Sequence, residues 1–338
     1  MHPTPPHETF GFHGDPGISR PCISHPTKSP ISRGPRVWGT WPPNLAPPIG
    51  VDHLVAAQRD TLSIWQVVQL ARHQDRPYSL DYLKRLAPDF IELHGDRISH
   101  DDPALVAGVG TWHGRTTIFI GQQKGRNLAD RVARNWGMMH PEGFRKALRM
   151  ARQAVKFGFP IISLVDTPGA FPGESAEERG ISSAIGAAIL QWFEIAVPVI
   201  AVVIGEGSSG GALGIAVADR VLMLENSLYT VASPEAAASI VWRDNARKVE
   251  AAAQLQITSR DLLAMGVVEE VISEPEGGAH ADCDDAARAL DEALWRHMEP
   301  LLRMEPDELL QHRYERFRYV DSLVAADPRF GPKVEPKV

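Results

Sequence analysis

The chain has 338 residues, 43% of them hydrophobic and 23% charged, so it can bury one large core or two modest ones. A net charge of -7 argues against a dedicated nucleic-acid binder, although local basic segments can still meet anions. Cys22 and Cys283 lie far apart and form neither a metal-ligand spacing nor a disulfide framework, so a reducing, cytoplasmic setting and no metal site are expected. The most membrane-like stretch, residues 184–204, is interrupted by Gln191, Glu194 and Pro198, and reads as a helix followed by a strand.

Residues 1–50 form a proline-rich tail: 12 of the 27 prolines fall before residue 49, and no periodic apolar pattern accompanies them. Such composition buries too little surface to offset chain ordering, so disorder is expected. Residues 51–90 follow as N-terminal helices, with helical periodicity over 52–73 and a short helix opened by Ser79 and an acidic residue. The segments 104–112 and 115–122 alternate as strands around His113-Gly114, a two-residue hairpin turn. Pro141 opens a helix with Phe144, Leu148, Ala151 and Val155 on one face, and Gly158 ends it.

Two continuous apolar runs, 159–165 and 197–203, read as strands buried on both faces. Ser175 and Glu178 have capping-box spacing, predicting one helix to about Glu194. Strands at 220–224 and 228–232 come next, followed by a helix capped by Ser233. A Thr258-capped helix, a strand at 267–272 and two long helical stretches complete an α/β alternation.

The chemistry concentrates after the two buried strands, in "DTPGAFPG" (166–173) and "IGEGSSGGALGI" (204–215). Gly205, Gly207 and Gly210 give G-x-G-x-x-G, but the following helix has too little room before Arg220 for a dinucleotide-binding unit. Gly207, Ser209 and Gly211 match a nucleophile elbow, yet the available downstream histidine, His280, sits in a Gly-rich loop with no sequence hint of a carboxylate that orients it. A GTPase reading of the "DTPG" run fails because the chain has no P-loop. Taken together, the two turns can aim one backbone N–H each at a developing oxyanion, with glycine removing the side chain that would block approach. The bland alternative is that the glycines merely let helices pack close to strands.

These residues, with "RPYSLDYL" (76–83), "GQQKGR" (121–126), "RNWGM" (134–138), "PEGFRKALR" (141–149), "AEERG" (176–180), "SPE" (233–235) and "EPEGGAH" (274–280), resemble the alpha-subunit family of the bacterial and plastid acetyl-CoA carboxylase carboxyltransferase. The similar stretches run in family order over about 230 residues. The resemblance implies a crotonase-like spiral of ββα units over residues 91–320, flanked by helical extensions and a flexible tail at 321–338. It also implies transfer of a carboxyl group from carboxybiotin on a carrier protein to acetyl-CoA, giving malonyl-CoA for fatty acid synthesis. No cofactor would be bound covalently. Partners would be a zinc-ribbon beta subunit, in an α2β2 assembly, together with the biotin carboxyl carrier protein and biotin carboxylase, with neither membrane nor nucleic acid involved.

Carried over position by position, the resemblance implies one amide donor at Gly169 or Ala170 and one at Gly210 or Gly211; Lys124, Arg126, Gly207, Ser208, Ser209 and Phe171 are the candidate substrate-binding residues. Departures from the family pattern include a short N-terminal arm, Ile181 and Ser183 after "AEERG", Ala236-Ala237 after "SPE", and Phe171 where tyrosine is usual. Residues 124–156 carry a local charge of +7 that can attract CoA phosphates or a carboxylate, or can simply be a solvated helix face. A CoA hydratase or isomerase on the same fold would need free carboxylates over the thioester, with Glu206 and Glu235 the available ones. A carboxyltransferase for another acyl-CoA, such as propionyl-CoA, and a scaffold that has lost its chemistry complete the alternatives.

Overall fold

A computed structural model describes residues 62–326; the expected proline-rich tail, the start of the first helix and the end of the C-terminal tail lie outside them. The helix expected over 52–73 is seen as α1 (Ile64–Ala71), started by a capping box between Ser63 and Gln66. In α2 (Ser79–Leu86) the expected serine cap is corrected. Asp81 accepts the Tyr78 amide at 2.8 Å, while the Ser79 hydroxyl is drawn inward to the Gln122 carbonyl at 2.7 Å.

The strand pair β2 (Leu105–Trp112) and β3 (Arg115–Gln122) is the expected hairpin. Its turn residues His113 and Gly114 take φ 46° and 72°, the left-handed pair that suits strand twist. Beside β2 runs a two-residue strand, β1 (Ile91–Glu92). A short helix, α3 (Leu128–Ala133), precedes α4 (Pro141–Phe157), which starts on proline and stops at Gly158 with φ 69°. Phe144, Leu148 and Ala151 are buried as expected, but Val155 is exposed, and in the last turn of α4 Ala154 points into the core instead.

Parallel strands β4 (Ile161–Thr167), β5 (Val199–Ser208), β6 (Arg220–Leu224) and β8 (Glu270–Ile272) extend the sheet in the order β1-β2-β3-β4-β5-β6-β8, and β7 (Leu228–Thr230) pairs with the far end of β5. Alternation with period two sorts their side chains to opposite faces. Ile161, Val165, Val199, Ala201, Val203, Val221 and Met223 face one core with α4; Ile162, Leu164, Ile200, Val202, Leu222 and Leu224 face the other with α2. A sheet covered on both faces requires the continuous apolar runs seen in the sequence.

The single helix expected from Ser175 is instead two, α5 (Glu174–Glu178) and α6 (Ile181–Trp192). Gly173 occupies the cap position without a side-chain bond, and Gly180 at φ 76° breaks the axis, so the Ser175–Glu178 spacing falls inside the helix and forms no capping box. Beyond α7 (Ser209–Ala216) come α8 (Pro234–Trp242), capped by Ser233 as expected, then α9 (Lys248–Leu255) and α10 (Ser259–Ala264), capped by Thr258. Helices α11 (Cys283–Leu301) and α12 (Pro306–Ala326) complete the described residues. Arg313 of α12 is fully buried, paired with Asp219 at 2.8 Å and bonded to the carbonyls of Trp192, Ile195 and Val197.

Candidate functional site

Neighbouring strands β4 and β5 keep register through Val165 and Val203, then slip: Thr167 next pairs with Gly207. The residues between Val203 and Gly207 therefore stand opposite Asp166 alone, a bulge that re-aims the end of β5. Asp166 stabilises it by accepting the Glu206 amide on Oδ1 at 2.9 Å. Gly205 is the residue that fits beneath, since a Cβ there would lie 2.5 Å from the same oxygen.

The stretch from Ile204 to Ser208, expected as a glycine turn, is strand throughout. Pairing with β7 prolongs it, and the Tyr229 ring occupies the space that a Cβ on Gly207 would need. Only at Ser209, with φ 57°, does the chain turn into α7. Ser208 caps that helix without any side-chain bond, so its first amides have no capping acceptor. The Ser208 hydroxyl is itself buried with no partner among the described residues.

The two glycine-rich turns touch. A Cβ built on Gly211 would lie 2.3 Å from the Gly169 carbonyl carbon and 2.4 Å from the Ala170 nitrogen, so the first turn of α7 lies directly on the 169–170 peptide. Gly169 adopts φ 154°, a conformation that L side chains rarely take. Its amide donates to Thr167 Oγ1 at 3.2 Å, whereas no acceptor is found for the Ala170 amide among the described residues. Gln122, which sequence reasoning passed over inside "GQQKGR", joins the turns. It accepts the Asp166 amide at 3.0 Å and donates to the Gly211 carbonyl at 2.7 Å.

Phe171 packs on the His140 ring, centroids 4.1 Å apart, and its amide donates to the Met139 carbonyl. On the other side of α7 an apolar cavity of about 440 Å³ is bordered by Ser209, Gly210, Leu213, Val231 and Phe317.

The expected cations have other partners. Lys124, following β3, lies 2.8 Å from both Asp166 Oδ1 and Glu206 Oε2. Arg72 continues the chain of charges, meeting Glu206 at 2.6 Å and Glu235 at 2.8 and 3.1 Å. Burial pushes the Asp166 carboxyl up, with Lys124 opposing. Burial acts the same way on Glu206, but there Lys124 and Arg72 prevail and hold it below the usual range. Arg126 bonds the backbone of Gln74 and Arg76, pairs with Asp81 and stacks over Tyr78 at 4.2 Å. Farther along the basic stretch, Arg145 pairs with Asp96 and Glu142, and Lys146 with Asp101. No histidine or carboxylate bonds Ser209 among the described residues; His280 instead stacks on His73 at 3.7 Å. Among the same residues no group of His, Cys, Asp or Glu is arranged to hold a metal, and no helix is long and apolar enough to cross a membrane.

Residues 51–321 match the family model described as acetyl co-enzyme A carboxylase carboxyltransferase-like. The chain is 53% identical, over 78% of its length and 83% of the relative's, to the acetyl-coenzyme A carboxylase carboxyl transferase subunit alpha of Sorangium cellulosum. To the subunit of the same name from Staphylococcus epidermidis it is 49% identical, over 78% and 84% of the two chains. Among solved structures it resembles a Pseudomonas malonate decarboxylase hetero-tetramer in complex with coenzyme A (TM-score 0.57, 17% identity, covering 72% of this chain and 95% of that one). It also resembles the transcarboxylase 12S core (TM-score 0.53, 21% identity, 70% of this chain), whose longer chain it spans by 45%. These likenesses agree with the crotonase-like fold expected from the sequence.

Proposed function

Since this chain belongs to the family of acetyl-CoA carboxylase carboxyltransferase alpha subunits, we propose that its paired turns stabilise the anionic oxygens formed as a carboxyl group passes from carboxybiotin to acetyl-CoA. In that transfer carbon dioxide leaves the carboxybiotin, the acetyl methyl gives its proton to the biotin, and a new carbon–carbon bond joins the methyl carbon to carbon dioxide. Malonyl-CoA results. The protein's part is to hold negative charge on oxygen without a side-chain nucleophile.

The contact of Gly211 with the 169–170 peptide carries this reading, because it brings the uncapped start of α7 beside the amide of Ala170. In the first turn we assign the donor to Ala170, since Gly169 already spends its N–H on Thr167. In the second, the donor is the amide of Gly210 or Gly211. Removing one such donor typically costs about 3 to 4 kcal/mol of transition-state stabilisation, so two account for a large share of an enolate-forming barrier. The apolar cavity bordered by Ser209 and Gly210 suits the uncharged ring or acyl portion of a substrate. A hydratase reading is weakened because Glu206 and Glu235 are both committed to ion pairs.

The remaining donors and walls come from a zinc-ribbon beta subunit, in an α2β2 assembly served by a biotinylated carrier protein and biotin carboxylase. On this reading the chain works in the cytoplasm. The test mixes it with a carboxyltransferase beta subunit, malonyl-CoA and biocytin. Malonyl-CoA-dependent carboxylation of biocytin should require both chains, and hydration of an enoyl-CoA by this chain alone would overturn the proposal.

A further inference from the structure

The charged groups beneath the turns occupy equivalent places at the ends of consecutive strands. Lys124 follows β3, Asp166 lies near the end of β4 and Glu206 lies in the bulge of β5. Asp166 and Glu206 are buried, and each stands four residues before an amide assigned above, Asp166 before Ala170 and Glu206 before Gly210. Their carboxylates face one ammonium, 2.8 Å away in each case. Without that cation, two buried negative charges would repel across the bulge that sets the spacing of the strand ends.

We infer that Lys124 is a positioning residue: by bridging Asp166 and Glu206 it fixes the distance between the two backbone oxyanion donors and does not bind substrate charge. The alternative expected from sequence, a direct contact of Lys124 with a substrate anion, has to draw an ammonium away from two short ion pairs in which only 12% of its side chain is exposed. The inference rests on the assignment of the glycine-turn amides. Activity of the wild-type complex tests the carboxyl transfer and the G211A and G210A variants test the turns, while the variants below are read relative to wild type, so the two can fail separately.

Gln122 and Arg72 supply what the bridge acts through. Gln122 ties the Asp166 backbone to the Gly211 carbonyl, so a shift of β4 is felt at the start of α7. Arg72 holds the other carboxylate oxygen of Glu206 at 2.6 Å, so Glu206 cannot simply turn away from Asp166 when Lys124 is lost. Misplacing a reacting group by about an ångström costs on the order of 100-fold in rate.

The test assays the complete carboxyltransferase with malonyl-CoA and biocytin. K124M is expected to lower kcat by about 30-fold or more while KM for both substrates stays within about twofold. Its remaining activity should rise as the pH falls, because one proton shared by the facing carboxylates replaces the missing cation. The double variant K124M/D166N should recover most of the loss. The introduced amide can still accept the Glu206 backbone N–H through its oxygen and can donate an N–H of its own to the Glu206 carboxylate. A raised KM with unchanged kcat, or a double variant no better than K124M, would overturn the inference. Where K124M does not fold, the double variant, which removes one charge of each sign, decides: activity within about tenfold of wild type supports the bridge, and a loss beyond about 100-fold refutes it.

Discussion

At Gly211 a single hydrogen atom in place of a methyl group decides whether two loops can meet. In the G211A variant the new Cβ would fall 2.3 to 2.6 Å from the atoms of the 169–170 peptide, which cannot yield as a flexible side chain would. Gly210 is different: its added Cβ would first meet the Ile185 side chain at 3.0 Å. G211A is therefore expected to lose about 100-fold or more in turnover, and G210A far less. Steady-state rates of the two assembled variants, compared with their thermal stabilities, check this; equal losses would remove the contact from the mechanism. The close approach of the two glycine-rich stretches was legible in sequence, because glycine density after a buried strand has few uses. Which amide is free was not, because that depends on the Thr167 hydroxyl capturing the Gly169 N–H. Nor did sequence show that Lys124 has its charge matched twice, since Asp166 and Glu206 are distant along the chain.

At the scale of elements, what could be read is what local chemistry dictates. The Pro141 start and Gly158 stop of α4 need no tertiary information, and both are observed. The boundary at 204–208 does, because β7 must arrive before a glycine-rich segment can persist as strand. The same holds at Gly180, where the left-handed residue splits a helix whose apolar content runs on. The α4 stop also offers a control away from the site. A Cβ at Gly158 meets nothing within 4 Å, so G158A is penalised only for its φ of 69°. A loss of about 1 kcal/mol with unchanged carboxyl transfer is expected. Denaturant unfolding measured beside activity would reveal any larger coupling between helix punctuation and the turns.

Across the whole molecule, α12 is fastened by buried charge. His312 sits beside Arg313, accepts from Arg220 at 2.8 Å, and its Nδ1 is buried without a partner among the described residues. Burial, with Arg220 and neighbouring guanidiniums adding repulsion, lowers its pKa from 6.5 to about 3. An unfolded chain then binds a proton that the folded one refuses, so this residue costs stability as pH falls below about 6.5 towards 3 and is neutral to it above. H312Q should flatten that part of the stability profile. Melting temperatures taken between pH 4 and 7 for both proteins check it, and parallel profiles would mean that the imidazole is not held neutral. The contact of the two glycine turns has a consequence for how such a molecule is dissected. Chemistry delivered by peptide groups presents no reactive handle, so acylating, alkylating or carbodiimide reagents would label the scaffold and leave the machinery unmarked, whereas swapping the linkage before Ala170 for an ester deletes one donor and keeps every side chain.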